Sequence, residues 1–329
     1  MQITLEGHDE PVPVEAGDTI LASLLRAGVA FPFSCQAGNC GTCKCELVSG
    51  DILELEHSEH ALAAEERAKG IILACRTQVW DDTVVRRIDA EDLVLHPSRV
   101  MRCRVLEIET LTHDIKGVRL VVEAGGPMTF SAGQYAQVEF APGLSRHYSM
   151  ANTPAEPELV FHIRHLPGGR TSEYVASKLK VGDRIKVSGP LGVSYLRDNH
   201  RGPVILVAGG SGLAPIQSIL CTLLERGYEA PVTLYFGVRS ERDLYHEGLL
   251  KDLAAQHRNF RYHVVLSEQI GAKGRRYGLV HEAIDLPIAE GTMAYLAGPP
   301  VMVEAATALL AADGLAPRHV HADAFYNQN

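Results

Sequence analysis

"FSCQAGNCGTCKC", residues 33–45, carries four of the chain's seven cysteines. Cys35, Cys40 and Cys43 are spaced C-x4-C-x2-C, and Cys75 follows after 31 intervening residues. Three sulfurs from one tight loop and a fourth from a distant segment can wrap a metal centre. Gly38 and Gly41 suit such a loop, because glycine tolerates positive φ and lets backbone approach a ligand closely. The flanks predict a small domain around it. "ITLEG" and "VPVEAG" predict a strand pair. "DTILASLLRAGV" predicts a helix capped by Asp18, with Ile20, Leu21, Leu24 and Leu25 on its apolar face. A further helix is expected over 61–69. After it, Ile71, Ile72 and Leu73 would anchor Cys75 against the core.

The spacing matches that of plant-type [2Fe–2S] clusters, with Cys35, Cys40, Cys43 and Cys75 as ligands. Structural zinc is the rival. Zinc ribbons favour paired CxxC knuckles, and here only Cys40 and Cys43 form one. Cys45 lies two residues past a ligand and is expected to be a packed bystander. Cys103 and Cys221 stand alone in apolar contexts and are expected in cores.

A chain of 329 residues, 46% hydrophobic and 22% charged, predicts two or three globular domains. No apolar run reaches membrane-spanning length. "MQITLEGHDE" has neither the basic start nor the apolar run of a signal peptide. The expectation is a cytoplasmic protein with reduced thiols, where clustered cysteines serve metal or redox chemistry rather than disulfides. The net charge of −9 is unevenly placed: residues 1–92 hold 17 acidic and 7 basic side chains, and the remainder 23 and 24. That balance argues against nucleic acid as a partner and for an acidic module that docks on basic surfaces.

"DAEDLVLHPSRV", residues 89–100, reads as a linker, and "MRCRVLEIETLTHDIKGVRLVVE" as two alternating strands. In "RHYSMANTP", Arg146, Tyr148 and Ser149 form an R-x-Y-S pattern suited to a strand edge facing a flavin. The arginine can neutralise a pyrophosphate, the tyrosine can stack on a ring and the serine can hydrogen-bond the ring's reactive nitrogen. In "HLPGGRTSEYV", Gly168 and Gly169 turn the chain and Thr171 or Ser172 caps a helix beginning near Glu173, a ready phosphate site. The alternative for this region is a Greek-key barrel with an ordinary buried tyrosine.

"GPVILVAGGSGLAPIQSILCTLLERG" predicts a buried strand, a glycine turn and a helix. It lacks GxGxxG, yet a tight turn opening a helix still presents N–H groups to a pyrophosphate. A second βα unit at "PVTLYFGVRSERDLYHEGLLKDL", a third strand at "FRYHVVLSEQ" and a strand–turn–helix at "GTMAYLAGPPVMVEAATALLAADG" predict a doubly wound parallel sheet.

The order of "RHYSMA", "PGGRTSEYV", "GPLGVSYLR", "GGSGLAP", "YFGVRSERDLY", "AGPPVMVEA" and "HADAFY" behind the cysteine loop resembles, over residues 1–329, one reductase family. Its members are the flavin- and [2Fe–2S]-dependent reductase components of bacterial aromatic-ring-hydroxylating oxygenases. The likeness is strongest to the naphthalene dioxygenase reductases, and the C-terminal two-thirds resembles the wider ferredoxin–NADP reductase superfamily. The resemblance implies an α+β ferredoxin (β-grasp) domain at 1–92, an antiparallel Greek-key barrel for FAD at 99–199 and an α/β doubly wound parallel sheet for NAD(P)H at 202–329. It implies that Arg146, Tyr148, Ser149 and His162 bind FAD, with Gly169, Thr171 and Ser172 at its pyrophosphate. Gly210, Ser211, Gly212, Pro215, Arg239, Arg242, Gly298, Pro299 and Met302 would take the nicotinamide nucleotide. Ser149 and Phe325 would stand at the reacting flavin, Phe325 on the face opposite Tyr148. Ala297 occupies a position where many superfamily members carry a cysteine that helps seat the nicotinamide. NADH is the expected donor, with NADPH tolerated because Arg239 and Arg242 lie near the expected ribose. A flavin can pass a hydride's electron pair on singly, and the cluster carries single electrons outward. The implied acceptor is a terminal oxygenase or a small ferredoxin, and the expected state is a monomer. Reductases of diiron monooxygenases and of a deoxysugar dehydratase share these modules. A pure electron carrier would lack the two glycine motifs.

Overall fold

The computed structural model describes residues 1–29, 31–33, 36–38, 41–59, 61–88, 94 and 96–326. Cys35, Cys40 and half of the expected linker, 89–93 and 95, lie outside the described residues. The chain divides into two compact units, Met1–Leu95 and His96–Asn329.

The first unit is a five-stranded mixed sheet in the order Val12–Pro13, Gln2–Leu5, Thr83–Arg87, Lys44–Ser49, Ile71–Leu73. Gln2–Leu5 pairs antiparallel with Val12–Pro13, as expected, and parallel with Thr83–Arg87. The helix Ile20–Arg26 lays Ile20, Leu21 and Leu24 into the core. Its cap is Thr19, whose hydroxyl accepts from Ala22 N at 3.2 Å. Asp18, the expected cap, pairs instead with Arg26 at the far end of the same helix. The helix expected over 61–69 is only Ala64–Arg67. Upstream of it, Ala61 and Leu62 are drawn into the core by a turn whose N–H groups donate to Ser58 O. Gly70, at φ +80°, then ends the segment.

The second unit begins with a six-stranded antiparallel sheet in the order Leu144–Ser149, Tyr135–Ala141, Arg184–Leu191, Arg99–Thr110, Ile115–Ala124, Leu159–Arg164. A bridge between Met150 and Phe161 brings its two edges together, so the sheet is nearly closed. Alternation fills the interior with Met101, Cys103, Val105, Val118, Leu120, Val138, Phe161 and Val187. Cys103 is thus a core residue, while Cys221 is half-buried on the helix Leu213–Glu225.

The nucleotide half is a six-stranded parallel sheet in the order Arg276–Tyr277, Phe260–Leu266, Val232–Val238, Val204–Gly209, Met293–Gly298, Val320–Ala324. Helices Leu213–Glu225, Glu247–Gln256 and Pro300–Ala312 connect its strands. Two strands go beyond the four expected. Arg276–Tyr277 is only two residues long, and "VHADA" has no apolar run to mark it. Both are edge strands, built by main-chain pairing rather than by burial. Among the described residues no helix is long and apolar enough to cross a membrane.

Candidate functional site

In the first unit the geometry suits a cluster loop. Cys43 and Cys75 are 3% and 5% exposed. Cys75 sits in a single 3-10 turn, Ala74–Arg76, and Ala74 N donates to Cys43 O at 3.0 Å, tying the two segments together. Gly41 lies at φ +71°, and a Cβ there would stand 2.8 Å from Ala61 O. Gly38, at φ +75°, would put a Cβ 2.7 Å from Arg76 Cγ and 2.9 Å from His57 Cβ. Both positions therefore demand glycine on conformation and on space. Cys45 is fully buried in the strand Lys44–Ser49, in register with Ile72 on one side and Arg87 on the other.

In the second unit the R-x-Y-S motif lies on the edge strand Leu144–Ser149. Arg146 is exposed, with Nη1 donating to Ser145 O at 2.9 Å. Tyr148 packs edge-on against Phe140, centroids 6.0 Å apart, and burial pushes its phenol up to about 12. Gly168, at φ +78°, makes the expected turn. The helix Arg170–Ser177 starts one residue after Gly169, which is its cap, so Thr171 and Ser172 belong to its first turn and cap nothing. Ser172 Oγ instead accepts from Leu166 N at 3.1 Å and donates to Gly169 O at 3.0 Å, bracing the glycine turn. A Cβ on Gly169 would meet that hydroxyl at 2.6 Å. The result is a side-chain-free cradle at a helix N-terminus, which fits a dinucleotide pyrophosphate.

The glycine turn of the nucleotide half is equally crowded. Gly210–Gly212 forms a 3-10 turn leading into Leu213–Glu225, with Pro215 buried in the helix's first turn. A Cβ on Gly209 would stand 2.9 Å from Pro299 Cδ and would clash with Met302. One on Gly298, at φ +148°, would stand 3.1 Å from Gly209 Cα. Gly212 abuts the backbone of Ala297 and Gly298. The two glycine motifs therefore meet backbone to backbone, leaving main-chain N–H groups rather than side chains at the strand ends.

The flavin and nucleotide motifs converge at one contact. Ser149 Oγ donates to Asp323 Oδ2 at 3.1 Å, and both residues are buried. Burial pushes the Asp323 carboxyl up to about 6, against the lowering effect of the serine hydrogen bond. Two residues on, Phe325 N donates to Gly298 O at 2.9 Å, which sets Phe325 beside the last nucleotide motif. Asp323 was not among the expected site residues. Its signal was a lone acid between alanines in "HADAFY", and nothing local says that it is buried.

Three further candidates sit in the seam between barrel and parallel sheet. His162 Nδ1 meets the Tyr245 hydroxyl at 3.2 Å, and burial drives its imidazole down to about 3, hence neutral. Arg239 donates to Asp243 at 3.0 Å, and Arg242 meets His113 at 3.1 Å.

Three domain families match the chain in sequence: a 2Fe-2S iron–sulfur cluster binding domain over 3–79, an oxidoreductase FAD-binding domain over 102–195 and an oxidoreductase NAD-binding domain over 206–308. The chain is 42% identical over 329 residues to the ferredoxin–NAD(P)+ reductase component of the naphthalene 1,2-dioxygenase/salicylate 5-hydroxylase systems of Ralstonia sp., covering 99% of each chain. It is 40% identical to the corresponding component of the naphthalene 1,2-dioxygenase system of Pseudomonas putida, again over 99% of each. The chain belongs to the ferredoxin–NAD(P)+ reductase components. The reductase also superposes on an Amycolatopsis cytochrome P450 reductase, with a TM-score of 0.83, 37% identity and 98% of each chain covered. It is an NAD(P)H-dependent flavin and iron–sulfur oxidoreductase that carries electrons from the nucleotide through FAD to a [2Fe–2S] cluster.

Proposed function

We propose that the reductase delivers electrons to a terminal aromatic-ring-hydroxylating oxygenase, directly or through a small ferredoxin. The Ser149–Asp323 contact carries the reading of the reductase half, because it joins the flavin strand to the end of the nucleotide sheet. The named systems of the two relatives support the choice of acceptor. The acidic first unit supports docking on a basic surface.

The roles assigned to the chain's own residues follow. Cys35, Cys40, Cys43 and Cys75 hold the cluster in domain 1–92. In domain 99–199, Arg146, Gly169 and Ser172 would hold the pyrophosphate of FAD, and Tyr148 would stack on its ring. FAD held there would supply acceptance of a hydride and release of single electrons. Ser149 would present its hydroxyl oxygen to the ring edge, because Asp323, whose affinity for a proton burial raises, accepts the hydroxyl hydrogen. The carboxyl would thus take a proton of its own only as pH falls to about 6 and below. In domain 202–329, the Gly210–Pro215 turn and Gly298–Met302 present N–H groups to the nucleotide. Phe325 would lie at the flavin face that nicotinamide takes and would yield to it.

A second acceptor, a cytochrome P450, is favoured by the description of the Amycolatopsis structure. Reconstitution tests the choice. Purified reductase with NADH should support product formation by a ring-hydroxylating dioxygenase, with or without its ferredoxin. Turnover of a cytochrome P450 but of no dioxygenase would overturn the proposal in favour of the second reading.

A further inference from the structure

The barrel and the parallel sheet of the second unit meet at a turn and a loop. The turn, 111–114, joins the first two barrel strands. The loop, 239–246, follows the strand Val232–Val238. Asp114 stands between them. Its Oδ2 accepts from Arg164 Nε at 2.8 Å and lies 3.6 Å from Arg239 Nη2. Arg239 also donates to Asp243 Oδ1 at 3.0 Å, and Asp243 Oδ2 is fixed by the N–H and hydroxyl of Ser240 at 3.0 and 2.6 Å. Beside them His113 Nε2 meets Arg242 Nη2 at 3.1 Å. Ligand atoms of His113, Asp114 and Asp243 lie within 4.8 Å of one another, a spacing that would suit a cation. The guanidinium groups of Arg164 and Arg239 already supply positive charge there.

The network reaches the glycine turn by two routes. A Cβ on Gly210 would lie 3.4 Å from Arg164 Nη1, so the guanidinium that Asp114 holds flanks that turn. His162, two residues before Arg164 on the barrel strand, meets the Tyr245 hydroxyl at 3.2 Å, and that hydroxyl lies 3.4 Å from Gly210 O. Both routes run from the barrel to the same turn.

We propose that Asp114 is a positioning residue for hydride transfer. By holding Arg164 and Arg239 together it fixes the Gly210 turn, and with it the nucleotide, against the flavin barrel. Arg239 and Arg242 then belong to this clamp and not to the adenosine ribose. Hydride transfer is steep in distance, so a small displacement of the turn slows it while leaving binding nearly intact. The inference rests on the reading of this half as the hydride-transfer site.

The test uses full-length, FAD-loaded protein. Anaerobic stopped-flow reduction of wild-type flavin by NADH checks that reading by itself; no reduction would sink it independently of the clamp. Asp114→Asn, Arg239→Gln and the double variant then probe the clamp. Each single variant should lower the limiting rate of flavin reduction by about tenfold, with NADH Kd changed by less than about threefold. Each should also weaken the long-wavelength absorbance of nucleotide stacked on flavin. The double variant should be no slower than the slower single one, because each already removes the Asp114–Arg239 pair on which the clamp depends. Melting temperatures should show the same non-additivity, and Asp114→Glu should recover part of the rate. Unchanged rates in Asp114→Asn would overturn the proposal. So would an Arg239→Gln variant that raises NADH Kd at an unchanged limiting rate and adds fully to Asp114→Asn, which would make Arg239 a nucleotide ligand.

Discussion

The two units assemble their reactive groups in opposite ways. In the first, the segments that carry Cys43 and Cys75 are tied by a main-chain hydrogen bond from Ala74 N to Cys43 O across a short stretch of sequence, inside a core built from the same 95 residues. In the second, Ser149 and Asp323 meet from opposite ends of the unit, 174 residues apart. A local site writes its chemistry into its spacing. A non-local one is made by the topology, and its members look ordinary where they stand in the chain. The first unit should accordingly fail when one ligand goes, and the second should degrade in graded steps.

The largest expected effect separates the units outright. Cys75→Ser should abolish the visible and EPR signals of the cluster and nearly all NADH-driven cytochrome c reduction. It should also destabilise the first unit, whose small core gains from metal ligation. NADH-to-ferricyanide activity should persist, because flavin and nucleotide motifs all lie beyond residue 130. Cys45→Ser should keep the cluster. Loss of the signal in that variant, or its survival in Cys75→Ser, would refute the ligand set. Residues 99–329 expressed alone should likewise keep FAD and ferricyanide reduction but lose oxygenase support. A fragment that drove the oxygenase at near-native rate would show that electrons can bypass the first unit.

The next effect is confined to the second unit. Asp323 has a folded-state pKa near 6, above its unfolded value near 3.8. The native state therefore holds this proton more tightly, and the carboxyl opposes folding increasingly as pH rises through about 6. Asp323→Asn should slow flavin reduction by about tenfold, by loosening the hold on Ser149 at the ring edge. The same change should raise melting temperature more at pH 8 than at pH 5, relieving a burden of about 2–3 kcal/mol at the higher pH. Equal shifts at both pH values would show that Asp323 is not buried in the proton-binding state described.

How much of this was legible follows the same division. The cysteine spacing, the apolar face of Ile20, Leu21 and Leu24, and the glycine turns could be read because each depends on neighbours a few residues away. Thr19 displaced Asp18 as the helix cap because Arg26, one turn pair further on, offered the carboxylate a partner. Gly169 rather than Thr171 or Ser172 capped the phosphate helix because Ser172 was needed to brace the preceding turn. Asp323 and the strand that carries it were invisible for a different reason. An edge strand of small and polar residues has no periodicity to detect, and its partner is set only when the sheet forms.

Two smaller effects sharpen the contrast in charge. Residues 1–92 carry a net −10 against +1 for the rest. Transfer to the oxygenase should fall several-fold between about 20 and 200 mM salt, while ferricyanide reduction changes little. An equal response of both would remove the docking role of the acidic unit. Finally, Arg239 and Arg242 are already engaged by Asp243, Asp114 and His113. NADH should therefore be preferred over NADPH, by about tenfold or less in kcat/KM, since a 2′-phosphate finds no uncommitted guanidinium in this loop. A tenfold preference for NADPH would show that these arginines exchange partners when the nucleotide binds.

The span between Ser149 and Asp323 also has a consequence in time. At about 5–20 residues per second, a ribosome adds the intervening 174 residues in roughly 10–35 s. The first unit and the barrel can both be out and folded while the proton partner of the flavin strand is still unmade. A nascent chain therefore lacks the Ser149–Asp323 contact until the strand Val320–Ala324 has been translated.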